Sequence, residues 1–559
     1  MKQWLLGFCL LLLPCVAEAQ SVADNTALQA ACTASSGCPG GDPVFTGGVW
    51  RLTYGVVNGR DNGASPLFYL PQASACSLNS GNGDNGLQVK SADGKCWLAR
   101  FPGIGADILQ FGADPQGSSD STTAIQNAFN DLPSNGYSVI IPAGIFCTYT
   151  GLTTRSSGPL AGFALRITGY GSQSSILSTC DHDVTALKLQ GTQQIVDGIL
   201  FTCRGSASSD TFTGASSITK PCVNVQNGGV HLTNFGIIGG ANSLLLNNGA
   251  NEVYVTNGYG YFAYGGAMVL IQNAGARFEA NAWDQDWPGG LTEPTAACQT
   301  NLVSASYAWI ASHNYAVGQC ASNNGYLMQV TACSGACTSG STAPTLRPYQ
   351  ANITDNQVTW QLAKPIPYVG LQCDTGCGET QVYANDFAGP FDYNIESTNT
   401  LSGNAPNGLM IVDSTPSDGL WAAYNFVAGG GFQIKGGQGE CVLYNCQVVS
   451  TGTGFGGELT VTGMQLQLSG SGGYGFVDEG GNGLVFSGNH LNMPAGQYLA
   501  YLANLSNFVV SDNVSFNNAQ IAVSNSASNY CNIVNNIVAG GSVSIAAGAC
   551  SALTNTGNH

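Results

Sequence analysis

The sequence is poor in charge. Only 8% of its 559 residues are Asp, Glu, Lys or Arg, with 15 basic against 32 acidic side chains and a formal net charge of −17. Such a chain repels polyanions. That excludes nucleic acid as a partner and disfavours an anionic polysaccharide unless a cation bridges it. Histidine is scarcer still, five in all, so the Cys-x3-Cys pairs at Cys333/Cys337 and Cys373/Cys377 lack partners to complete a zinc site. No P-loop, no Gly-x-Ser-x-Gly and no zinc-protease motif occurs. Beyond the N-terminus no run approaches the ~20 apolar residues of a membrane span.

What is present begins with MKQWLLGFCLLLLPCVAEA, residues 1–19. Lys2, the apolar run Trp4 to Cys15 and the small-x-small site Ala17-Glu18-Ala19 read as a secretory signal peptide. A secreted, periplasmic or cell-surface protein is expected. Removing that peptide leaves an even number of cysteines, so disulfides are the expected state. Cys32/Cys38, Cys76/Cys96, Cys203/Cys222, Cys333/Cys337 and Cys373/Cys377 are candidate pairs by proximity, although spacing does not fix connectivity. Seventy-six glycines and little charge point towards disorder, but 44% apolar content opposes it. The composition fits a large, rigid, polar-surfaced β protein.

An asparagine recurs inside alternating apolar strands at Asn234, Asn257, Asn281, Asn385, Asn425, Asn445, Asn489, Asn513, Asn536 and Asn558. The last steps are 24, 23 and 22 residues, and Met464 takes the place between Asn445 and Asn489. A period near 23 with strands on both sides of the Asn predicts a β-solenoid whose coils stack at ~4.8 Å. Each Asn amide is expected to bond its equivalent one coil away and to satisfy corner backbone groups.

The segment Ile108 to Gly144 adds one helix signal, 121–132. Asp120 or Ser121 can cap it, and Ala124, Ile125, Ala128, Phe129 and Leu132 give it an apolar face. Phe111-Gly112-Ala113, then Asp120-x-x-Thr123-Ala124-Ile125-Gln126, then Ser138 to Gly144 (SVIIPAG) resemble the opening of pectate lyase superfamily β-helices, in the form of rhamnogalacturonase/epimerase-like proteins and phage tailspikes. Asp114-Pro115-Gln116-Gly117 departs from that pattern. The resemblance covers 108–559 apart from one insertion. It implies an all-β, right-handed parallel β-helix with an N-terminal capping helix and an inserted small β module. It also implies a polysaccharide as partner, while the superfamily's activities vary too widely to carry over.

The expected organisation is a segment 20–43, a small β-rich head 44–101, the first part of the β-helix over 108–286, an insertion 287–367 and the second part over 368–559. The insertion resembles small carbohydrate-binding modules through Trp309, Tyr315-x-x-Gly318, Tyr326 and Val358-Thr359-Trp360. Trp309, Tyr315, Tyr326 and Trp360 either stack on sugar C–H faces or form the core of the module.

Two carboxylate groups are candidates for chemistry. Asp413, Lys435, Glu458 and Glu479, with Trp421 nearby, are expected as a stripe on successive coils. Glycoside hydrolysis needs two carboxylates ~5–9 Å apart, a spacing adjacent coils supply. Lys435 is the only Lys or Arg after Lys364, which equips a lyase poorly. In FEANAWDQDW, the inward parity of Phe278, Ala280 and Ala282 would bury Asp284 and Asp286. The chain is therefore expected to turn there, placing Asp284 and Asp286 in a loop; with Asp386 one coil later and Trp283 they form a candidate sugar subsite. A solvated face or turn-capping role is the plain alternative for each group. Ca2+ suits Asp284 and Asp286 as hard oxygen ligands, but no EF-hand-like loop is present, and no cofactor or metal site is assigned. His231 and His490 are read as structural. The polygalacturonase pattern of Asn-Thr-Asp, Asp-Asp and Gly-His-Gly is absent. These readings lead to a secreted glycan-active β-helix, a hydrolase before a lyase, monomeric or homotrimeric. The rival is a non-catalytic, tail-fibre-like adhesin.

Overall fold

Three short strands recur in fixed order along the chain, and each pairs in parallel with its counterpart one coil away. The structure, a computed structural model, describes residues 21–22, 44–46 and most of 67–559. Its longer undescribed stretches there are 101–104, 132–137, 156–164, 204–217, 285–307, 345–351, 399–407, 418–421, 442–446, 469–473 and 479–482. Sheet 1 has fifteen strands, from Gly105–Asp107 to Cys550–Thr556. Sheet 2 has nine, from Gln116–Asp120 to Thr415–Pro416, and resumes as five more from Gln438–Cys441 to Ile537–Val538. Sheet 3 has thirteen, from Leu152–Thr153 to Ser542–Ile545. The fold is the expected all-β, right-handed parallel β-helix. Alternation sets its core: along Ala276–Glu279, Ala276 and Phe278 are buried while Arg277 and Glu279 face out.

The corner between sheets 1 and 2 is the repeating joint. One residue there takes a positive φ, such as Ala280 (53°), Ala384 (48°), Asp413 (48°), Asp512 (56°) or Asn535 (57°), and the next side chain points inward. Asn281, Asn385, Asn489, Asn513 and Asn536 hold that inward place and are almost fully buried. Asn513 Oδ1 accepts from Asn489 N at 3.0 Å and Asn489 Nδ2 at 2.9 Å, while its own Nδ2 donates to Phe486 O and Asn536 Oδ1, both at 2.9 Å. The same pattern joins Asn536 to Asn558 and Asn281 to Asn385. The repeat is narrower than the sequence suggested. Asn234 and Asn257 occupy the left-handed position itself (φ 49° and 53°), with Phe235 and Gly258 behind them. Asn425 lies within a sheet 3 strand, and Asn445 lies outside the described residues.

The helix spans Thr122–Asp131 and buries Ala124, Ile125, Ala128 and Phe129 against the first coil. It stands where that coil would place its sheet 3 strand. Gln126 pairs with the edge of Leu152–Thr153: its Oε1 accepts from Thr153 N at 2.9 Å and its Nε2 donates to Thr153 O at 2.7 Å. One side-chain amide thus replaces a missing strand and covers an edge that would otherwise template aggregation. The departure at Asp114 also has a physical role. Its buried carboxylate accepts from the backbone N–H groups of Gln116, Ser118 and Ser119 and from both serine hydroxyls. Burial pushes this carboxyl up, but those hydrogen bonds outweigh it and hold it below the usual range.

Sheet 2 breaks where Pro416 sits. Thr415 N and Ser417 N donate back to Asn385 O and Phe387 O. Successive peptide groups alternate sides, so residue 416 faces the following coil, and proline has no N–H to give it. Between Ala282–Asp284 and Val369–Cys373, consecutive elements of the solenoid, a separate four-stranded antiparallel sheet is built from Cys320–Asn323, Tyr326–Cys333, Val358–Pro365 and Ile353–Asp355. A five-stranded sheet runs from Ser21–Val22, in the segment 20–43, to Cys96–Arg100 and Gln88–Lys90. Disulfides join the candidate pairs Cys76–Cys96, Cys203–Cys222, Cys333–Cys337 and Cys373–Cys377, and also Cys147–Cys180 and Cys531–Cys550. Cys32 and Cys38 lie outside the described residues.

Asn513→Ala removes a buried ladder rung and leaves neighbours unsatisfied; a loss of ~1–3 kcal/mol is expected in denaturant titrations. Gln465→Ala on the outer face should shift stability by under ~0.5 kcal/mol. The depressed carboxyl of Asp114 contributes stability that is present above the unfolded pKa of ~3.9 and lost as pH falls through its lower folded value. Asp114→Asn should therefore lower the melting temperature at pH ~7 and flatten its fall below pH ~4.

Candidate functional site

Side chains facing outward from sheet 2 form two columns set by strand register. One runs Tyr259, Ala282, Asp386, Thr415; the other runs Tyr261, Asp284, Ala388. Past the Pro416 break the columns continue as Gln465, His490, Val514 and Gln467, Asn492, Phe516. Asp284 and Asp386 are thus diagonal neighbours on adjacent strands, Asp284 half-buried and Asp386 exposed. Asp284 does not lie in a loop as the parity argument expected. The positive φ of Ala280 shifts the phase by one, so Asn281 and Trp283 point in while Ala282 and Asp284 point out. Asp286 lies outside the described residues.

At the break in sheet 2 lies a groove of about 370 Å³ lined by Thr415, Ser417, Gln438, Gly439, Gln465, Gln467, His490 and Asn492. His490, read as structural, is exposed here and meets the edge of Phe516 with ring centroids 5.4 Å apart. No Asp, Glu, Lys or Arg is among the described residues lining the groove. Tyr259 lies over Gly236 of the previous coil, where a Cβ would come within 2.4 Å of its ring. This groove was hard to see in the sequence because its glutamines and asparagines are separated by a coil each and form no local motif.

The aromatic assignments need correction. Trp283 is fully buried, seated over Gly260 of the preceding coil, and cannot stack on a sugar. Trp360 is also fully buried. Tyr315 packs edge-on against it at 4.8 Å, and Asp355 Oδ2 accepts from Trp309 Nε1 at 3.1 Å and Trp360 Nε1 at 3.4 Å. Trp309, Tyr315 and Trp360 therefore build the core of the small module around one carboxylate. Tyr326 opens a strand of that sheet, but its side chain is outside the description, as is Trp421.

The expected acidic stripe is not assembled among the described residues. Asp413 occupies the left-handed corner, with its carboxylate against the backbone of Gly436, and its N–H donates to Lys435 O at 3.0 Å. A short polar side chain suits that conformation. Lys435 ends a sheet 1 strand and is exposed, while Glu458 and Glu479 lie outside the described residues. No group of His, Cys, Asp and Glu among the described residues is placed to hold a metal ion.

Two other clusters were missed by sequence reasoning. On sheet 1, Arg277 pairs with Glu279 at 3.1 Å and lies over the Tyr383 ring at 4.9 Å, while His231 stacks on Tyr254 at 4.6 Å. These charges and rings are occupied by one another. On sheet 3, Glu396 is buried and accepts from Asn425 Nδ2 at 2.9 Å and Gln372 Nε2 at 3.2 Å. A carboxylate closed off in this way is poorly placed to meet a polymer. Sheet 1 also presents exposed Glu252 and Glu379 in a groove, there with Arg277 beside them. The sheet 2 face sets two outward carboxylates next to a groove with no Lys or Arg among its described lining residues.

No protein-family model matches this chain, and no curated protein matches it. Solved structures with a similar trace include the pre-mature bacteriophage phi29 gene product 12, at 11% identity over 78% of this chain, with a TM-score of 0.43. The chain spans 56% of that protein's length. The catalytic domain of an alpha-1,3-glucanase in complex with tetrasaccharides is 11% identical over 84% of this chain and 74% of its own, with a TM-score of 0.40. PfbA, a surface adhesin of Streptococcus pneumoniae, is 12% identical over 81% and 92%, with a TM-score of 0.41. Likeness at this level speaks to neither substrate nor activity.

Trp283→Ala separates core from sugar platform. A loss of ~3–5 kcal/mol is expected in denaturant melts, as for a large buried aromatic, at unchanged glycan affinity per folded molecule.

Proposed function

We propose that this is an exported glycoside hydrolase that binds a neutral glycan along the outer face of sheet 2 and cleaves it between Asp284 and Asp386. The observation that carries the reading is the register Ala282↔Asp386 and Asp284↔Ala388, which puts two outward carboxylates on a diagonal of adjacent strands. Strand spacing of ~4.8 Å and a two-residue rise of ~6.6 Å place their Cα atoms roughly 8 Å apart. Side-chain rotation then spans the ~5–9.5 Å between carboxyl groups used by glycosidases. One carboxyl would protonate the leaving oxygen while the other activates water or attacks the sugar directly. The adjoining groove supports the substrate class: amides and hydroxyls pair with sugar hydroxyls, no Lys or Arg lines it to hold a uronate, and the net charge of −17 repels acidic polymers. Six described disulfides fit an oxidising compartment, and no described helix is long and apolar enough to cross a membrane.

The test is reducing-end release from a panel of neutral polysaccharides, with ultraviolet detection of unsaturated products from uronate polymers alongside. Asp284→Asn and Asp386→Asn should each lower hydrolysis by ~100-fold or more with binding retained. Binding without turnover by the unmodified protein would sink the hydrolase reading and leave an adhesin.

A further inference from the structure

The outer face of sheet 1 near its last strands carries another groove, lined without Asp, Glu, Lys or Arg. From Gly481 to His559 the sequence holds one charged residue, Asp512, and no Lys, Arg or Glu. Within this stretch and just before it, Thr460, Val485, Val509, Asn532 and Thr554 stand in register on five successive strands. They line a groove of about 670 Å³ running roughly 19 Å along the solenoid axis. Tyr530 rises beside them, 68% exposed, with the smaller Asn507 and Ala552 in register on either side. Tyr530 has no ring or hydrogen-bond partner among the described residues. Asn532 Oδ1 is shielded from solvent yet receives no hydrogen bond from the protein.

We propose that this groove is a second carbohydrate site, specific for an uncharged saccharide and separate from the cleaving face. An open aromatic ring gives a pyranose C–H face something to stack on. Val485 and Val509 extend that apolar floor, and Thr460 on one side and Asn532 and Thr554 on the other flank them along the column. The Asn532 side chain lines the groove with an amide that pairs with sugar hydroxyls. An anionic or amino sugar finds no opposite charge here and would lose hydration without return. A second copy of the chain fits less well, because the core of a protein interface wants a contiguous apolar patch, whereas Val485, Val509 and Leu553 are interspersed here with Thr460, Asn507, Asn532 and Thr554. The site lies on a different sheet from Asp284 and Asp386 and does not depend on their cleaving anything.

The test is calorimetric titration of the full chain with cellohexaose, laminarihexaose, xylohexaose and maltohexaose, with hexagalacturonate as charged control. The protein carries Asp284→Asn to stop turnover and Gln465→Ala with His490→Ala to silence the sheet 2 groove. At least one neutral hexaose should bind, Tyr530→Ala should weaken it tenfold or more, and Asn532→Leu should weaken it at least fivefold with melting temperatures unchanged. The proposal fails if no neutral hexaose binds or if both substitutions leave affinity unaltered. It fails equally if hexagalacturonate binds more tightly. Light scattering closes the remaining route: conversion of an oligomer to monomer by Tyr530→Ala, with saccharide affinity intact, would make the face an interface between copies and overturn the assignment. Loss of hydrolysis in Asp284→Asn tests the cleaving pair alone, so failure of either reading leaves the other standing.

Discussion

The structure depends on one joint, the corner between sheets 1 and 2. A single residue in the left-handed region turns the chain, and the next side chain points inward. The stacking partner lies one coil away, so polar groups at the corner find partners in the coil above or below. Where the inward residue is Asn, its amide bonds to both neighbouring coils, as Asn513 does with Asn489 and Asn536. Where it is Phe235, Met464 or Gly258, packing or close backbone approach replaces the amide, and the corner holds because its backbone N–H still reaches the next coil's carbonyl. Parallel pairing is then forced, since one corner conformation repeated leaves no room for a hairpin.

That joint divides the side chains between two duties. Inward positions carry stability and take whatever bulk fits, including Trp283 over Gly260 and the stacked Phe476 and Phe486. Outward positions carry almost no folding load, so their chemistry is open to function. Their placement is nonetheless rigid, because register fixes each one against the next. Asp284 and Asp386 owe their diagonal relation to the backbone register of adjacent strands. The inserted module follows the same division on a smaller scale: its aromatics converge on Asp355 and form a core.

Much of the fold was legible because solenoid coils repeat and repetition is visible in one dimension. The period near 23, the Asn column from Asn489 to Asn558, the helix over the first coil and four of the proximal cysteine pairs were all local signals. What the sequence hid were phase changes. The left-handed residue inverts the simple alternation on which Asp284 was placed in a loop and Trp283 on the surface. It also made Asn234 and Asn257 look like ladder members when they turn the chain instead. The sheet 2 groove was invisible for a different reason: Gln465, His490 and Phe516 are neighbours across coils, and no spacing rule marks their columns without the register.

The scarcity of charge that marks the sequence acquires a meaning in three dimensions. A net charge of −17 sets up a field that falls off over ~8–10 Å at physiological salt and repels acidic polymers before contact. Close to the surface the two proposed carbohydrate grooves present amides, hydroxyls and rings. Those groups neither attract nor reject a neutral chain at a distance, and they act only when sugar hydroxyls and C–H faces come within hydrogen-bond and van der Waals range. Discrimination against charge and affinity for neutral ligand therefore come from different parts of the molecule. The first is a property of the whole chain and weakens with salt; the second belongs to a few columns fixed by register and does not. A surface built in this way gains selectivity without a Lys or Arg among the described residues at either groove, which is why the lack of Lys and Arg, read first as a list of exclusions, is part of how the proposed recognition works.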